Sequence, residues 1–165
     1  MKSLFGGLFL VLLSYTVSAQ QAEVNNSKIR QFITKAAYAT MLAAQEGKLA
    51  SEKGSAPEVR AYGDLLKKDQ SLFLGELQKL ADIKHLELPT RLSNKRNTKL
   101  KKLASKSGAG FDSEFLKQTK IAFNHEVKQV KFAIESEDTE LAAFAEKFLP
   151  LLQDHLAKVK KLLNE

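Results

Sequence analysis

Apolar residues recur along this chain at intervals of three and four, the spacing that gathers them onto one face of an α-helix. The clearest case is Val59–Leu80, where Val59, Tyr62, Leu66, Phe73, Leu77 and Leu80 form one stripe. Gln70 falls inside that stripe and Asp69 on its edge. The same period predicts four further segments. Segment one runs from about Ser27 to Lys53 with Ile29, Ile33, Ala36, Ala37, Thr40, Ala43, Ala44 and Gly47 inward, and Gly54 ends it. Segment two opens at Ser55, whose hydroxyl and Glu58 suggest a capping box, and continues to about Lys84. Segment three, about Arg91 to Ser105, is short and basic, and Ser107–Gly110 breaks the chain after it. Segment four runs from Asp112, read as its N-cap, to about Ser136, with Leu116, Phe123, Val127, Val130 and Ile134 on one face. Segment five runs from near Asp138 to Leu163, with Leu141, Phe144, Phe148, Leu152, His155, Val159 and Leu162 inward. Pro150 lies opposite that face, where it bends a helix without ending it.

No convincing strand is readable, so the fold class is all-α. The links between segments one and two and between four and five are tight, which makes two antiparallel hairpins. The longer connection between them carries the small basic helix. That is the pattern of a ferritin-like four-helix bundle with a short basic crossover helix between the two hairpins.

The N-terminus changes the domain count. Met1-Lys2, an apolar run from Leu4 to Leu13 and Val17-Ser18-Ala19 together read as a signal peptide, residues 1–19, cleaved before Gln20. The apolar run is about ten residues, against the roughly 20 that a membrane-spanning helix needs. Residues 20–165 then form a single helical-bundle domain, exported to the periplasm or secreted, with no transmembrane segment in the mature chain. The chain has no cysteine, so disulfides, thiolate metal sites and cysteine nucleophiles are excluded. Its formal net charge is +7, which favours anionic partners. Export argues against nucleic acid.

Four spaced motifs carry a family resemblance: Val59-Arg-Ala-Tyr-Gly-Asp-Leu-Leu-Lys-Lys-Asp-Gln70, Leu88-Pro89, Gly110-Phe-Asp-Ser-Glu-Phe115 and Leu149-Pro-Leu-Leu-Gln-Asp-His155. In order and spacing the chain resembles a bacterial exported family of unknown function, often labelled an outer membrane protein. The resemblance covers about Phe32 to Leu162 and implies a ferritin-like helical bundle. The outer-membrane label finds no support in the sequence, which offers no alternating strands for a barrel. The resemblance also implies histidines where this chain has Gln70 and Phe123, and acidic residues before the glycine of the first helix, at positions corresponding to Ala43 and Gln45. Of the inward histidines only His155 remains.

A ferritin-like di-metal site needs inward glutamates and Glu-x-x-His pairs, and no Glu-x-x-His occurs. No metal or other cofactor is therefore expected, and His155 is the one residue to consider if a divergent metal-binding or redox role exists. The reading that needs least is a neutral core pair, Gln70 with His155, since buried polar groups are normally hydrogen-bonded. No nucleophile–base arrangement or phosphate loop stands out, so an enzyme is not indicated. One polar feature remains: Arg91, Lys95, Arg96, Lys99, Lys101, Lys102 and Lys106, with no acidic residue from Leu88 to Phe111. It reads as a solvated lid helix or as a contact for anionic lipid or polysaccharide of the envelope. The sequence thus predicts a non-enzymatic helical-bundle protein of the cell envelope with a binding or stress-related role and undefined activity.

Overall fold

The computed structural model describes residues 8–165, with side chains from residue 23 onward. Five helices occur in order: α1 Leu8–Lys53, α2 Pro57–Ile83, α3 Asn94–Ala104, α4 Gly108–Ile134 and α5 Thr139–Leu162. No strand occurs among the described residues, so the all-helical class holds. Of the expected leader, residues 1–7 lie outside the described residues, and none of its side chains is described. Helix α1 is already formed at Leu8, well before Ser27 where the apolar period becomes readable. No helix among the described residues is long and apolar enough to cross a membrane. The chain divides into two compact units, Met1–Phe32 and Ile33–Glu165. The second takes in the C-terminal part of α1 and all of α2 to α5.

The predicted stripes are the buried faces. Every apolar stripe residue of α2 is buried, as is Gln70. On α5 the buried set is Leu141, Phe144, Ala145, Phe148, Leu152, His155 and Val159, and the helix continues through an exposed Pro150. Two aromatic groups bracket the interior. Phe73 packs edge-on against Phe144 and Phe148, with ring centroids 5.3 and 4.7 Å apart. Phe111, Phe115 and Tyr62 form the second group, at 6.2 and 6.0 Å.

Helices α1 and α2 meet through glycines. A Cβ on Gly63 would lie 2.5 Å from the Ser51 nitrogen and 2.6 Å from the Gly47 oxygen. A Cβ on Gly47 would lie 2.8 Å from the Gly63 oxygen and 2.9 Å from the Lys67 nitrogen. These are backbone contacts, so any side chain at either position would push the helices apart.

The caps differ from the sequence reading. The Ser55 hydroxyl does not cap α2; the N-cap is Ala56, with no side-chain hydrogen bond of its own. The cap comes from elsewhere in the chain. Asp112 is not the N-cap of α4, which begins at Gly108, but a buried residue near the start of that helix. Its Oδ1 accepts from the Ser55 backbone N–H at 2.9 Å and its Oδ2 from that of Ala56 at 2.8 Å. A carboxylate at a helix N-terminus satisfies free N–H groups and complements the helix dipole, and this one also ties α4 to α2. Asp138 does cap α5, accepting from Leu141 N at 2.9 Å, and it pairs with Lys84 at the end of α2.

Gly63→Ala should cost about 1–2 kcal/mol net, because overpacking against backbone outweighs the roughly 1 kcal/mol helix-propensity gain. Gly75→Ala, on the same helix with nothing within 4 Å of its Cβ, should stabilise by up to about 1 kcal/mol. Denaturant melts of the two variants should therefore shift in opposite directions. Asp112→Ala should cost about 1–2 kcal/mol by stranding two N–H groups, whereas Ser55→Ala should change stability by less than about 0.5 kcal/mol. Equal losses in the two would contradict the cap across the chain.

Candidate functional site

Glu46, which precedes Gly47, and Tyr62, which precedes Gly63, are both buried next to the glycine contact in sequence. Glu46 is on the buried stripe of α1 between Ala43 and Ala50 and is only 2 % exposed. Its Oε1 lies 3.1 Å from Lys99 Nζ, reaching in from the crossover helix α3. Burial pushes the Glu46 carboxyl above the usual carboxylate range, and Lys99 partly opposes that shift. From α4 comes Glu126, half-buried, one turn from Phe123. Burial and then the charge of Glu46 push Glu126 up to about 8, with Lys99 again opposing. Tyr62 is buried, and its phenol is held neutral by burial and by the nearby charges of Glu126, Asp154 and Asp69.

His155 on α5 lies next to this group. Its ring is fully buried, stacked on Phe123 at 5.0 Å and 4°, and edge-on to Tyr62 at 5.9 Å. Burial lowers its pKa, although Asp69 and Asp154 act in the opposite sense, so the imidazole is neutral at pH 7. Gln70 is buried as expected, but it is not the partner of His155. Neither ring nitrogen makes a hydrogen bond, and Gln70 Nε2 also lacks one. The group nearest to His155 Nε2 is the Asp69 carboxylate at 3.3 Å, within ion-pair reach but outside hydrogen-bond geometry. The rim residue wins because a carboxylate that keeps some contact with water can approach without being fully desolvated. The middle of this unit is thus a polar group drawn from all five helices, not a uniformly apolar core.

The seven basic residues of the crossover divide into two sets. Lys99 points inward to Glu46, and the Arg96 guanidinium lies over the Tyr38 ring, 4.6 Å from its centroid. Arg91, Lys95, Lys101, Lys102 and Lys106 are exposed and make no ion pair among the described residues. Leu92 and Leu103 are buried beneath the segment, and Leu100 is half-buried. Lys53 donates to the Ala104 carbonyl at the end of α3, fastening that end to α1.

Glu46 and Glu126 were not singled out by sequence reasoning. Glu46 could have been found, since it stands three residues after Ala43 and four before Ala50 on the same stripe. Glu46 also directly precedes Gly47, the glycine of the first helix. Glu126 gives a weaker signal, on the flank of a stripe where glutamates usually face water. His125 and His85 join neither group: His125 is exposed, and His85 sits in the loop after α2 with a φ of 53°. Among the described residues no group of three or more His, Cys, Asp or Glu is placed to hold a metal ion.

No curated protein and no solved structure matches the chain. A family model does, over residues 14–162, a span that includes every residue of the polar centre. The chain therefore belongs to the family described as "Domain of unknown function (DUF4142)".

Proposed function

We propose that the protein is an exported helical bundle of the ferritin-like type that works by adhesion, holding an anionic surface of the cell envelope through its crossover helix. The supporting architecture is two long-helix hairpins, α1 with α2 and α4 with α5, joined through the short α3. The observation that carries the reading is the outward set on the crossover. Arg91, Lys95, Lys101, Lys102 and Lys106 are exposed on one short segment with no acidic neighbour in it. An unneutralised group of this kind attracts phosphate or carboxylate arrays, at about 1 kcal/mol per basic residue near an anionic lipid surface. Because Leu92 and Leu103 are turned inward, the contact is electrostatic and weakens as salt screens it. Phospholipid headgroups are the first choice of partner, and acidic polysaccharide shares the same chemistry.

The test has two arms. Protein recovered from the envelope should begin at Gln20, as mass spectrometry reads it; an intact Met1 there would remove cleavage of the leader, and absence from the envelope fraction would remove export. The purified protein should sediment with vesicles containing anionic phospholipid at low salt and not with neutral ones. Neutralising Lys95, Lys101 and Lys102 together should weaken that binding at least about tenfold, while Lys147→Gln, a basic residue outside the crossover, should leave it unchanged. Binding to acidic polysaccharide but not to vesicles would move the partner to the second choice. Equal binding by wild type and the triple variant in both assays would sink the adhesion reading.

A further inference from the structure

The outer side of α4 carries the most exposed large apolar side chains among the described residues, Phe132 at 74 % and Ile121 at 67 %. Their separation of about three helical turns returns Phe132 to within about 20° of Ile121, roughly 16 Å along the axis. Exposed His125 stands between them, and exposed Lys117 and Lys128 lie within about 40° of the same line. Lys131 flanks it. Lys117, Lys128 and Lys131 make no ion pair among the described residues, whereas Lys120 is paired with Glu165. The carboxylates on this side are Glu114, half-buried and accepting from Gln118, and Glu135 at the C-cap. The face is therefore apolar along its middle and basic around it.

Packing does not call for these side chains, since α4 already buries Leu116, Phe123, Val127 and Val130 on its opposite side. Single apolar residues scattered over a surface need no explanation, but an aligned pair among unpaired lysines is a different pattern. Leu72 and Ile83 on α2 provide the contrast. They are also exposed, yet the charges of that helix pair with one another, Lys67 with Asp64 and Lys79 with Glu76.

We propose that this face of α4 is a membrane-contact site for an anionic phospholipid bilayer. Phe132 and Ile121 enter the boundary between headgroups and acyl chains, and Lys117, Lys128 and Lys131 meet the lipid phosphates. Charge selects the occupant. A second copy docked face to face would set lysines against lysines. Acidic polysaccharide would satisfy the lysines and leave Phe132 in water. An anionic bilayer takes both, and neither contribution holds a protein well without the other. The site rests on the adhesion reading only for the kind of surface, and its chemistry differs. Salt screens the crossover contact but leaves the burial of Phe132 and Ile121 in lipid largely intact.

The chain has no tryptophan, so Phe132→Trp places a single reporter on this face, and Leu72→Trp places one on α2. Both positions are exposed, so both variants should melt as wild type does. On vesicles of phosphatidylglycerol and phosphatidylethanolamine, emission from Phe132→Trp should shift to the blue. Acyl chains brominated near the headgroup should quench it, and Leu72→Trp should show neither effect. Phe132→Ser combined with Ile121→Ser should weaken vesicle binding about tenfold or more, by the same factor at each salt concentration. Neutralising Lys95, Lys101 and Lys102 should instead flatten the salt dependence. Vesicle-bound Phe132→Trp whose emission neither shifts nor is quenched would overturn the α4 contact and leave the crossover as the attachment. A blue shift without vesicles that grows with protein concentration would overturn it in favour of a second copy. Binding to acidic polysaccharide alone would overturn it while leaving the crossover its second choice of partner. Quenching of Phe132→Trp that persists at full strength when the crossover lysines are neutralised would uphold the α4 contact and count against adhesion through the crossover.

Discussion

The approach of α1 to α2 at Gly47 and Gly63 is the constraint on which the rest of this unit depends. Two helices touch backbone to backbone only where neither presents a side chain, and here each glycine faces the other's carbonyl. That contact fixes the neighbours of the glycines as well. Glu46 and Tyr62 are brought inside by the positions of Gly47 and Gly63, not by any affinity for an apolar interior. Once Glu46 is inside, it needs a cation. Lys99 supplies it, so the seating of α3 is coupled to a contact between two other helices.

The cost of this arrangement is not small. An unsatisfied buried polar atom costs about 1–3 kcal/mol, and the interior contains Tyr62 Oη, Thr119 Oγ1, Gln70 Nε2 and both His155 nitrogens without hydrogen-bond partners. A purely apolar centre of the same shape would be more stable. Aromatic packing accompanies the polar layer, with Phe73 against Phe144 and Phe148 in one group and Phe111 against Phe115, which also meets the Tyr62 ring, in another. Proteins that keep such groups against their cost often do so for what the groups do, and burial holds the carboxyls of Glu46 and Glu126 above the usual carboxylate range.

How legible this was in the sequence depended on the range of each interaction. The helices and their buried faces were readable because a stripe is written within a few turns, and α2 and α5 match theirs almost residue for residue. The cap of α2 was not readable: Asp112 acts on N–H groups 56 and 57 residues away, and its local position imitates an N-cap. Gln70 against Asp69 was a choice between adjacent residues that helical angles alone do not settle. The split within the basic run was hidden for a different reason. Lys99 and Lys101 look alike until the partner that tells them apart, Glu46, is found on another helix.

That split bears on what the crossover helix is for. A lid needs only to be covered from outside and held from inside, and Leu92, Leu103, Arg96 on Tyr38 and Lys53 on Ala104 would suffice to hold it. Lys99 adds an ion pair to the buried Glu46, and the outward lysines add a charge that no lid requires. Both additions lie on one short segment, one directed at buried carboxyls and the other at solvent. A bound anionic surface would compete with Glu46 for the charge of α3. The crossover is then the element that joins a buried carboxylate to the outer basic face.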